Sequence, residues 1–379
     1  MADSGNKDTK GAADLTCKRC KKESATQQIR SDTVCSKCFT QYVTTKAIKR
    51  METYRIRGST MVPTKLLFAL SFGPSSASLL HILDQHLQSQ FDRMNRAAYE
   101  LQVVHIDIYL DAMDRDDSAA LLKKYMARFP RHAYSSFGLE DALLLDNIDW
   151  KTLGISAPPQ DTAHKPGVEK LQALIGSMPS ATSRKDIATT LLARLLVDVA
   201  KRNDCESILF GDSTTRLAEK TLTETAKGRG FSLPWKVSEG MSSFGVGFNY
   251  PMRDLLKKEL VAFGSLTKPP LTDLIVYQNA SSHISASSKL TTIDDLMIQY
   301  FESVEQNYPS IVANVVRTSS KLKPLNNDIT TGCGLCGLGV SEGTDGICGW
   351  GGDQNPYSRP VRENDHSIIC YGCSRSING

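Results

Sequence analysis

Lys65-Leu66-Leu67-Phe68-Ala69-Leu70, followed by Ser71-Phe72-Gly73-Pro74-Ser75-Ser76, is the stretch on which the fold turns. An apolar run this short, with no polar alternation, predicts a strand buried on both faces, as in a parallel sheet between layers of helices. The Ser-, Gly- and Pro-containing residues 71–78 predict a loop, and Leu79, Leu80, Ile82, Leu83, His86 and Leu87 then fall on the inward stripe of a helix. The same order recurs. Residues 101–106 predict a second strand ending at Asp107, and residues 207–210 a third, which runs into Gly211-Asp212-Ser213 and a helix over 216–225. Between them Ile187, Leu191, Leu192, Leu195, Leu196 and Val199 recur at helical spacing. The pattern predicts an α/β fold, a parallel sheet with helices on both faces. Ligands of such sheets sit at the carboxyl ends of strands, so residues 71–78 and 211–215 should line one crevice. A later helix over 292–306, capped by Thr292 with Asp295 in its first turn, is expected to pack against the sheet.

Other polar residues in this region read as structural. His105 is expected to be a satisfied residue of a buried strand, neither ligand nor base. Asp111, Asp114, Asp116 and Asp117 read as a solvated helix entry, and residues 154–167 as an exposed connection. Cys205, just before a buried strand, reads as a small core residue.

The ten cysteines are distributed very unevenly, for eight of them form C-x-x-C couples near the two ends of the chain. Cys17 and Cys20 pair with Cys35 and Cys38 across 14 intervening residues, and Ser31, Asp32 and Thr33 supply a returning turn. Each couple turns two sulfurs toward one point and two couples complete a tetrahedron, which is the sequence form of a zinc ribbon. Cys333 and Cys336 with Cys370 and Cys373 form a second set, separated by a long Gly-rich loop that also holds Cys348. Whether Cys348 is a ligand there or a free thiol stays open. The polar start Met1-Ala2-Asp3-Ser4 shows no secretory leader, which favours reduced, metal-binding thiols over disulfides and a cytosolic or nuclear location.

With 379 residues, 40% of them hydrophobic, the chain can form one large domain or two moderate ones, with the metal modules as stapled appendages. No apolar run reaches the length of a membrane span. The net charge of +4 conceals an asymmetry: residues 1–60 carry 13 Lys or Arg against 6 Asp or Glu. Much of the excess flanks the first cysteine set at Lys18, Arg19, Lys21 and Lys22, or follows it at Lys46, Lys49, Arg50, Arg55 and Arg57. A cationic metal module suits a phosphate backbone, and a solvated helix face is the plainer alternative.

Ser71-Phe72-Gly73-Pro74-Ser75-Ser76 resembles the PP-loop of the ATP pyrophosphatases, Ser-Gly-Gly-x-Asp-Ser, which wraps pyrophosphate with backbone N–H groups at a helix N-terminus. Ser71, Gly73 and Ser76 agree, Phe72 stands where the family has glycine, and Ser75 where it has aspartate. Gly211-Asp212-Ser213 with Leu217-Ala218-Glu219 resembles the superfamily's Gly-His-Asn-x-x-Asp-x-Ala-Glu element. Tyr250-Pro251-Met252-Arg253-Asp254-Leu255-Leu256 with Lys258-Glu259-Leu260 is similar to its later Arg-Pro-Leu element. These three in order between two zinc ribbons resemble the partner-subunit branch of the cytoplasmic tRNA 2-thiolation proteins, over residues 17–373.

The resemblance implies a PP-loop (adenine nucleotide alpha hydrolase-like) core and a cytoplasmic role in forming 5-methoxycarbonylmethyl-2-thiouridine at the wobble position of Lys, Glu and Gln tRNAs. In that chemistry ATP adenylates the uridine O2, and sulfur from a thiocarboxylated ubiquitin-like carrier displaces AMP. It implies zinc on Cys17, Cys20, Cys35, Cys38, Cys333, Cys336, Cys370 and Cys373, and a degenerate nucleotide loop at Ser71, Gly73, Ser75 and Ser76. Active relatives also carry a Cys-x-x-Cys before the central helix, and the matching stretch here, Ser180-Ala181-Thr182-Ser183-Arg184-Lys185, has none. A missing loop aspartate, a bulky Phe72 and missing sulfur carriers imply a non-catalytic, tRNA-binding member of a heterodimer, with ATP bound by a catalytic PP-loop subunit. Arg184 and Lys185 are equally phosphate contacts or a solvated helix start. A self-sufficient ATP-dependent tRNA sulfurtransferase and a zinc-ribbon adaptor remain as alternatives. The expected organisation is an N-terminus over 1–14, a zinc ribbon and basic helix over 15–60, the degenerate PP-loop domain over 61–325, and a zinc module over 326–379.

Overall fold

Leu66, Leu67 and Phe68 are consecutive and fully buried, so the strand that carries them must be covered on both faces. The computed structural model describes residues 16–29, 32–55, 62–108, 112–153, 167–277, 291–323, 331–340 and 369–378. A hairpin of β1 (Gln27–Ile29) and β2 (Asp32–Val34) leads into α1 (Ser36–Arg50). The core opens with β3 (Thr64–Ala69), α2 (Pro74–Met94), β4 (Tyr99–Asp107), α3 (Ala112–Arg128) and β5 (Ala133–Gly138). It continues through α4 (Gly167–Gly176), α5 (Ala181–Arg202), β6 (Ser207–Phe210), α6 (Thr214–Ala226) and α7 (Leu233–Lys236). There follow β7 (Gly240–Met241), β8 (Gly247–Asn249), α8 (Lys257–Leu266), α9 (Ile293–Asn307) and α10 (Pro309–Ser319). The C-terminal part is β9 (Thr331–Gly332), β10 (Gly339–Val340) and α11 (Tyr371–Asn378).

The main sheet has the order β5-β4-β3-β6-β8-β7, parallel throughout except for the edge strand β7. From β3 the chain runs outward to β4 and β5, then returns to lay β6 on the other side of β3. That reversal lies between β3 and β6, where Leu67 pairs with Ile208 and Phe68 with Leu209. It sets the carboxyl ends of two neighbouring strands side by side.

Alternate side chains of the buried strands serve two separate cores. Leu66, Phe68, Leu101, Val103 and Leu209 face one of them, which α1, α2 and α8 cover and which includes Cys17 and Cys35. Leu67, Val104, Ile106 and Ile208 face the other, which includes α5, α6 and all of Cys333, Cys336, Cys370 and Cys373. The cysteine modules are thus not appendages. Each completes the hydrophobic layer on one face of the sheet.

Most elements lie where the residue pattern places them, with two corrections. Residues 74–78 are helical and not loop, because Gly73 in extended backbone is the N-cap of α2 and Pro74, with φ already set, occupies its first turn. The helix after Thr292 packs mainly on α6 and α10, not on the sheet, and its buried Phe301 belongs to the second core. Its cap is as expected, Thr292 Oγ1 accepting from Asp295 N at 3.1 Å. Asp114, Asp116 and Asp117 are exposed on α3. Asp111, Arg57, Cys348 and residues 154–166 lie outside the described residues, while Gly167 begins α4.

A buried ionic cluster ties α11 to α5. Both terminal guanidinium nitrogens of Arg229 donate to the two carboxylate oxygens of Asp186, one at 2.7 Å, and Ser376 donates to the same carboxylate. Lys227 bridges Asp186 at 3.3 Å and Asp294 at 2.7 Å. Burial pushes the Asp186 carboxyl up, but Arg229 and Lys227 outweigh it and hold the group below the usual carboxylate range. A depressed carboxyl contributes stability above its unfolded pKa of about 3.9, lost as pH falls through the folded value. Replacing Asp186 by Ala leaves Arg229 buried without its carboxylate partner, so unfolding in urea at pH 7 should show a loss of about 3–5 kcal/mol. Asp186→Asn should flatten the decline in stability below about pH 4.

Candidate functional site

The loop after β3 is short and its side chains are committed. Ser76 Oγ donates to Gly73 O at 3.1 Å and lies 3.2 Å from Ser71 Oγ. Ser76 is buried, Gly73 and Ser75 are half-buried, and Ser71 is exposed. Phe72 has φ 58°, the left-handed region that favours glycine and costs an L-residue roughly 1–2 kcal/mol. Its ring does not fill the crevice. It turns into the core, 4% exposed, stacked on His105 with ring centroids 4.0 Å apart and on Tyr125 at 5.4 Å. The Phe72 carbonyl accepts from Val276 N at 2.8 Å, and Tyr125 Oη donates to Leu274 O at 2.7 Å, so a segment after α8 is fastened to the loop.

His105 bonds the start of the loop through Nδ1, 2.9 Å from Leu70 O. A carbonyl only accepts, so Nδ1 carries the proton. Burial lowers the pKa of the ring, which is therefore neutral at pH 7. Its Nε2 has no partner among the described residues, so His105 is satisfied at one nitrogen only.

The loop after β6 meets the first loop directly. A Cβ added at Gly211 would lie 2.7 Å from Ser76 Cα and 2.8 Å from its nitrogen, so only glycine permits the approach. Ser213 caps α6, accepting from Arg216 N at 3.2 Å, and Asp212 is paired with Lys220. The third matching segment joins them. Thr214 N donates to Leu255 O at 2.8 Å, Thr214 Oγ1 to Arg253 O at 2.7 Å, and Lys257 N to Thr215 Oγ1 at 2.9 Å. Glu259 accepts from Leu256 N at 2.8 Å and caps α8. The three segments are therefore brought together at the carboxyl ends of β3, β6 and β8.

All eight paired cysteines are gathered in two groups of four, with every sulfur in a group within 4.8 Å of the others. Cys17 and Cys20 flank a tight turn in which Lys21 N donates to Cys17 O at 2.9 Å, and Lys21 takes a left-handed φ of 53°. Cys35 is the N-cap of α1 and accepts from Cys38 N at 3.4 Å. In the second group Gly337 N donates to Cys333 O at 2.7 Å, and Cys370 N to Cys333 Sγ at 3.4 Å.

One sulfur pair in each group stands at 3.8 Å, Cys20 with Cys35 and Cys336 with Cys370. A tetrahedron with metal–sulfur bonds of about 2.3 Å puts its sulfurs about 3.8 Å apart. The spacing fits one zinc ion held by four thiolates, closed to substrate, whereas a four-iron cluster would hold its ligands further apart at the corners of a cube.

The thiols are electrostatically coupled. Burial raises Cys17, but N–H groups of Cys20, Cys35 and Arg19 outweigh it and bring it to about 6. Cys35 is pushed up to about 12, its Cys38 N–H opposing burial and the neighbouring thiols and Glu23 that raise it. In the second group hydrogen bonds from the other thiols hold Cys333 down, while those with Cys333 push Cys336 and Cys373 up. Four sulfurs this close cannot all ionise unless a cation joins them, and a zinc ion held by them would supply that charge.

The surroundings of the two groups differ. Arg194 and Arg229 are buried against the second, Arg194 beside Gly337 and Arg229 beside Gly372. Arg194 donates to Asn147 Oδ1 at 2.7 Å and lies 5.4 Å from the Phe244 ring. The sequence did carry one signal for Arg194, which interrupts the apolar stripe of Ile187, Leu191 and Leu195 on α5. Arg229 has no local signal, since its partners Asp186 and Ser376 are 43 and 147 residues away. Lys185 is paired with Asp295 at 2.7 Å. Ser180 is the N-cap of α5, accepting from Ser183 N at 3.0 Å.

A family model described as cytoplasmic tRNA 2-thiolation protein 2 matches residues 292–350. A Sclerotinia sclerotiorum protein of that name is 66% identical over 300 residues, 79% of this chain and 80% of the relative. The chain belongs to the cytoplasmic tRNA 2-thiolation protein 2 family. A Phaeosphaeria nodorum member is 45% identical over 377 residues, 98% of this chain and 97% of its own. The family's name states its place, the cytoplasm, and its role, tRNA 2-thiolation. Among solved structures the U34-tRNA thiolase NcsA from Methanococcus maripaludis, with its 4Fe-4S cluster, superposes with TM-score 0.54 at 14% identity. The superposition covers 81% of this chain and 87% of that one, and shows a shared fold. The family-model match takes in α9, α10 and the first cysteine couple of the second group.

Metal analysis of the purified chain should find about two zinc ions, falling to about one in Cys17→Ser or Cys370→Ser. Cys370→Ser should lower the urea midpoint more, because all four cysteines of its group lie in the second core, whereas Cys20 and Cys38 of the first group are only partly buried. Gly211→Ala should cost roughly 1–3 kcal/mol in the same assay by forcing apart the two loops.

Proposed function

We propose that this member of the family is the non-catalytic, tRNA-gripping subunit of a wobble-uridine 2-thiolation complex. It works beside a catalytic PP-loop subunit that binds ATP and accepts sulfur from a thiocarboxylated ubiquitin-like carrier. Lys, Glu and Gln tRNAs are its substrates. Residues 15–60 and 326–379 are the zinc modules, flanking the degenerate PP-loop domain at 61–325.

The observation that carries the reading is the position of Cys205, the one cysteine between residues 61 and 325. Cys205 precedes β6 and the crevice loop follows it at Gly211, so the thiol lies at the amino end of the strand, on the order of 20 Å away at about 3.3 Å per residue. Burial also raises its pKa, which disfavours the nucleophilic thiolate. The remaining thiol outside the paired sets is Cys348. The crevice agrees with this reading. Ser75 offers no carboxylate for magnesium, and Ser76, Ser213, Thr214 and Thr215 spend their hydroxyls on loop-to-loop and capping bonds.

Sulfur incorporation into wobble-uridine tRNA, with ATP and a thiocarboxylated carrier, tests the proposal with this chain alone, the catalytic subunit alone and the two mixed. Only the mixture should be active, and Ser71→Ala in this chain should leave its rate within about two-fold. Thiolation by this chain unaided would make the degenerate loop a working ATP site. An active mixture in which this chain ignores tRNA would make it an adaptor.

A further inference from the structure

Arg19, from the turn between Cys17 and Cys20, and Lys46 on α1 converge on one aromatic ring. The Arg19 guanidinium lies 5.0 Å from the Tyr42 ring centroid and the Lys46 ammonium 6.0 Å from it. The ring forms part of a pocket of about 540 Å³ that Cys20, Cys38 and Lys49 also line, with Gln41 and Thr45. No carboxylate lines it. Among the described residues Arg19, Lys46 and Lys49 take part in no ion pair, although Lys18 meets Asp32 and Arg50 meets Glu239 and Asp254.

Like charges gathered without a counterion repel one another, so the arrangement needs an explanation. The dipole of α1 accounts for a cation in its last turn, but not for Arg19, which comes from another segment to the same ring. Nor does the metal centre absorb the charge. Residues 16–50 carry nine Lys or Arg against Glu23 and Asp32, and zinc tetrathiolate contributes only two negative charges. A guanidinium held over a ring keeps its N–H edge available, which suits a forked bond to phosphate oxygens.

We infer that Arg19, Lys46 and Lys49, organised around Tyr42 at the mouth of the first cysteine site, form a binding pocket for the RNA phosphate backbone. The inference rests on the tRNA-gripping role and locates it. Folding of the ribbon places Arg19 beside α1, so the metal builds the pocket although it touches no RNA. The contact is with charge and backbone, and it carries no base specificity.

The test is tRNA binding by the full chain, followed by fluorescence anisotropy between about 50 and 200 mM salt, with zinc content measured in parallel. The triple variant Arg19→Gln, Lys46→Gln, Lys49→Gln should keep its zinc and bind tRNA about 10- to 100-fold more weakly. Its log–log salt slope should be smaller by about two to three, close to one per lost phosphate contact. Lys123→Gln with Lys124→Gln, exposed on α3, should leave affinity within about two-fold. Should the triple variant lose zinc, Lys46→Gln and Lys49→Gln singly should retain it and each lower the slope by about one. Wild-type affinity and slope in the zinc-loaded variants would overturn the pocket while leaving the tRNA-gripping role intact. Failure of the wild-type chain to bind tRNA would overturn both. Variants that keep tRNA but lose the catalytic subunit would make the pocket a protein contact, which also overturns it.

Discussion

Burial of β3 on both faces is the constraint from which the rest of the structure follows. Leu66, Leu67 and Phe68 have no exposed side, so each face needs a complete layer, and the two layers are built from different parts of the chain. α1, α2 and α8 cover one face and α5 and α6 the other. Neither layer is purely helical. Cys17 and Cys35 belong to the first core and all four C-terminal cysteines to the second, so a metal held by either group would be tied to the hydrophobic interior.

The two cysteine centres solve the problem of buried charge in opposite ways. The C-terminal group is 1–8% exposed and has the guanidinium groups of Arg194 and Arg229 against it, so its excess negative charge is matched inside the protein. Arg229 is matched in turn by Asp186, which holds the final helix through Ser376. The N-terminal group has Cys20 and Cys38 at a solvent-facing pocket, and its cations outnumber the charge they need to balance. One centre therefore locks the chain's end into the core, and the other presents positive charge outward.

The crevice loop commits its residues to packing at the carboxyl ends of the strands, where parallel sheets place ligands. The backbone turns from β3 into α2 at a glycine N-cap, and Gly211 permits close approach from β6. Yet the residue at the left-handed position is Phe72, and the strain of φ 58° is offset by a ring buried between His105 and Tyr125. Phe72 turns its bulk into the core. It anchors the loop to the core and, through its carbonyl, to the segment at Val276.

Strand β3, the helix stripe after it and the third strand were legible in the residues, because burial on a regular backbone imposes a period that a sequence displays, and the Thr292 cap was legible from its side chain. The eight cysteines were legible as two sets of four for a similar reason, a couple three apart being local geometry. The start of α2 was not legible, since Ser and Pro favour turns and first helical turns alike, and only the Gly73 cap decides between them. What the tertiary structure decided lies between segments far apart in sequence. The contact of Gly211 with Ser76, the inward turn of Phe72, the packing of α9 on α6 and the pairing of Arg229 with Asp186 depend on distances that no local pattern encodes. The basic excess of the first 60 residues was plain in the composition, but its convergence on Tyr42 required a folded ribbon to carry Arg19 onto the face of α1.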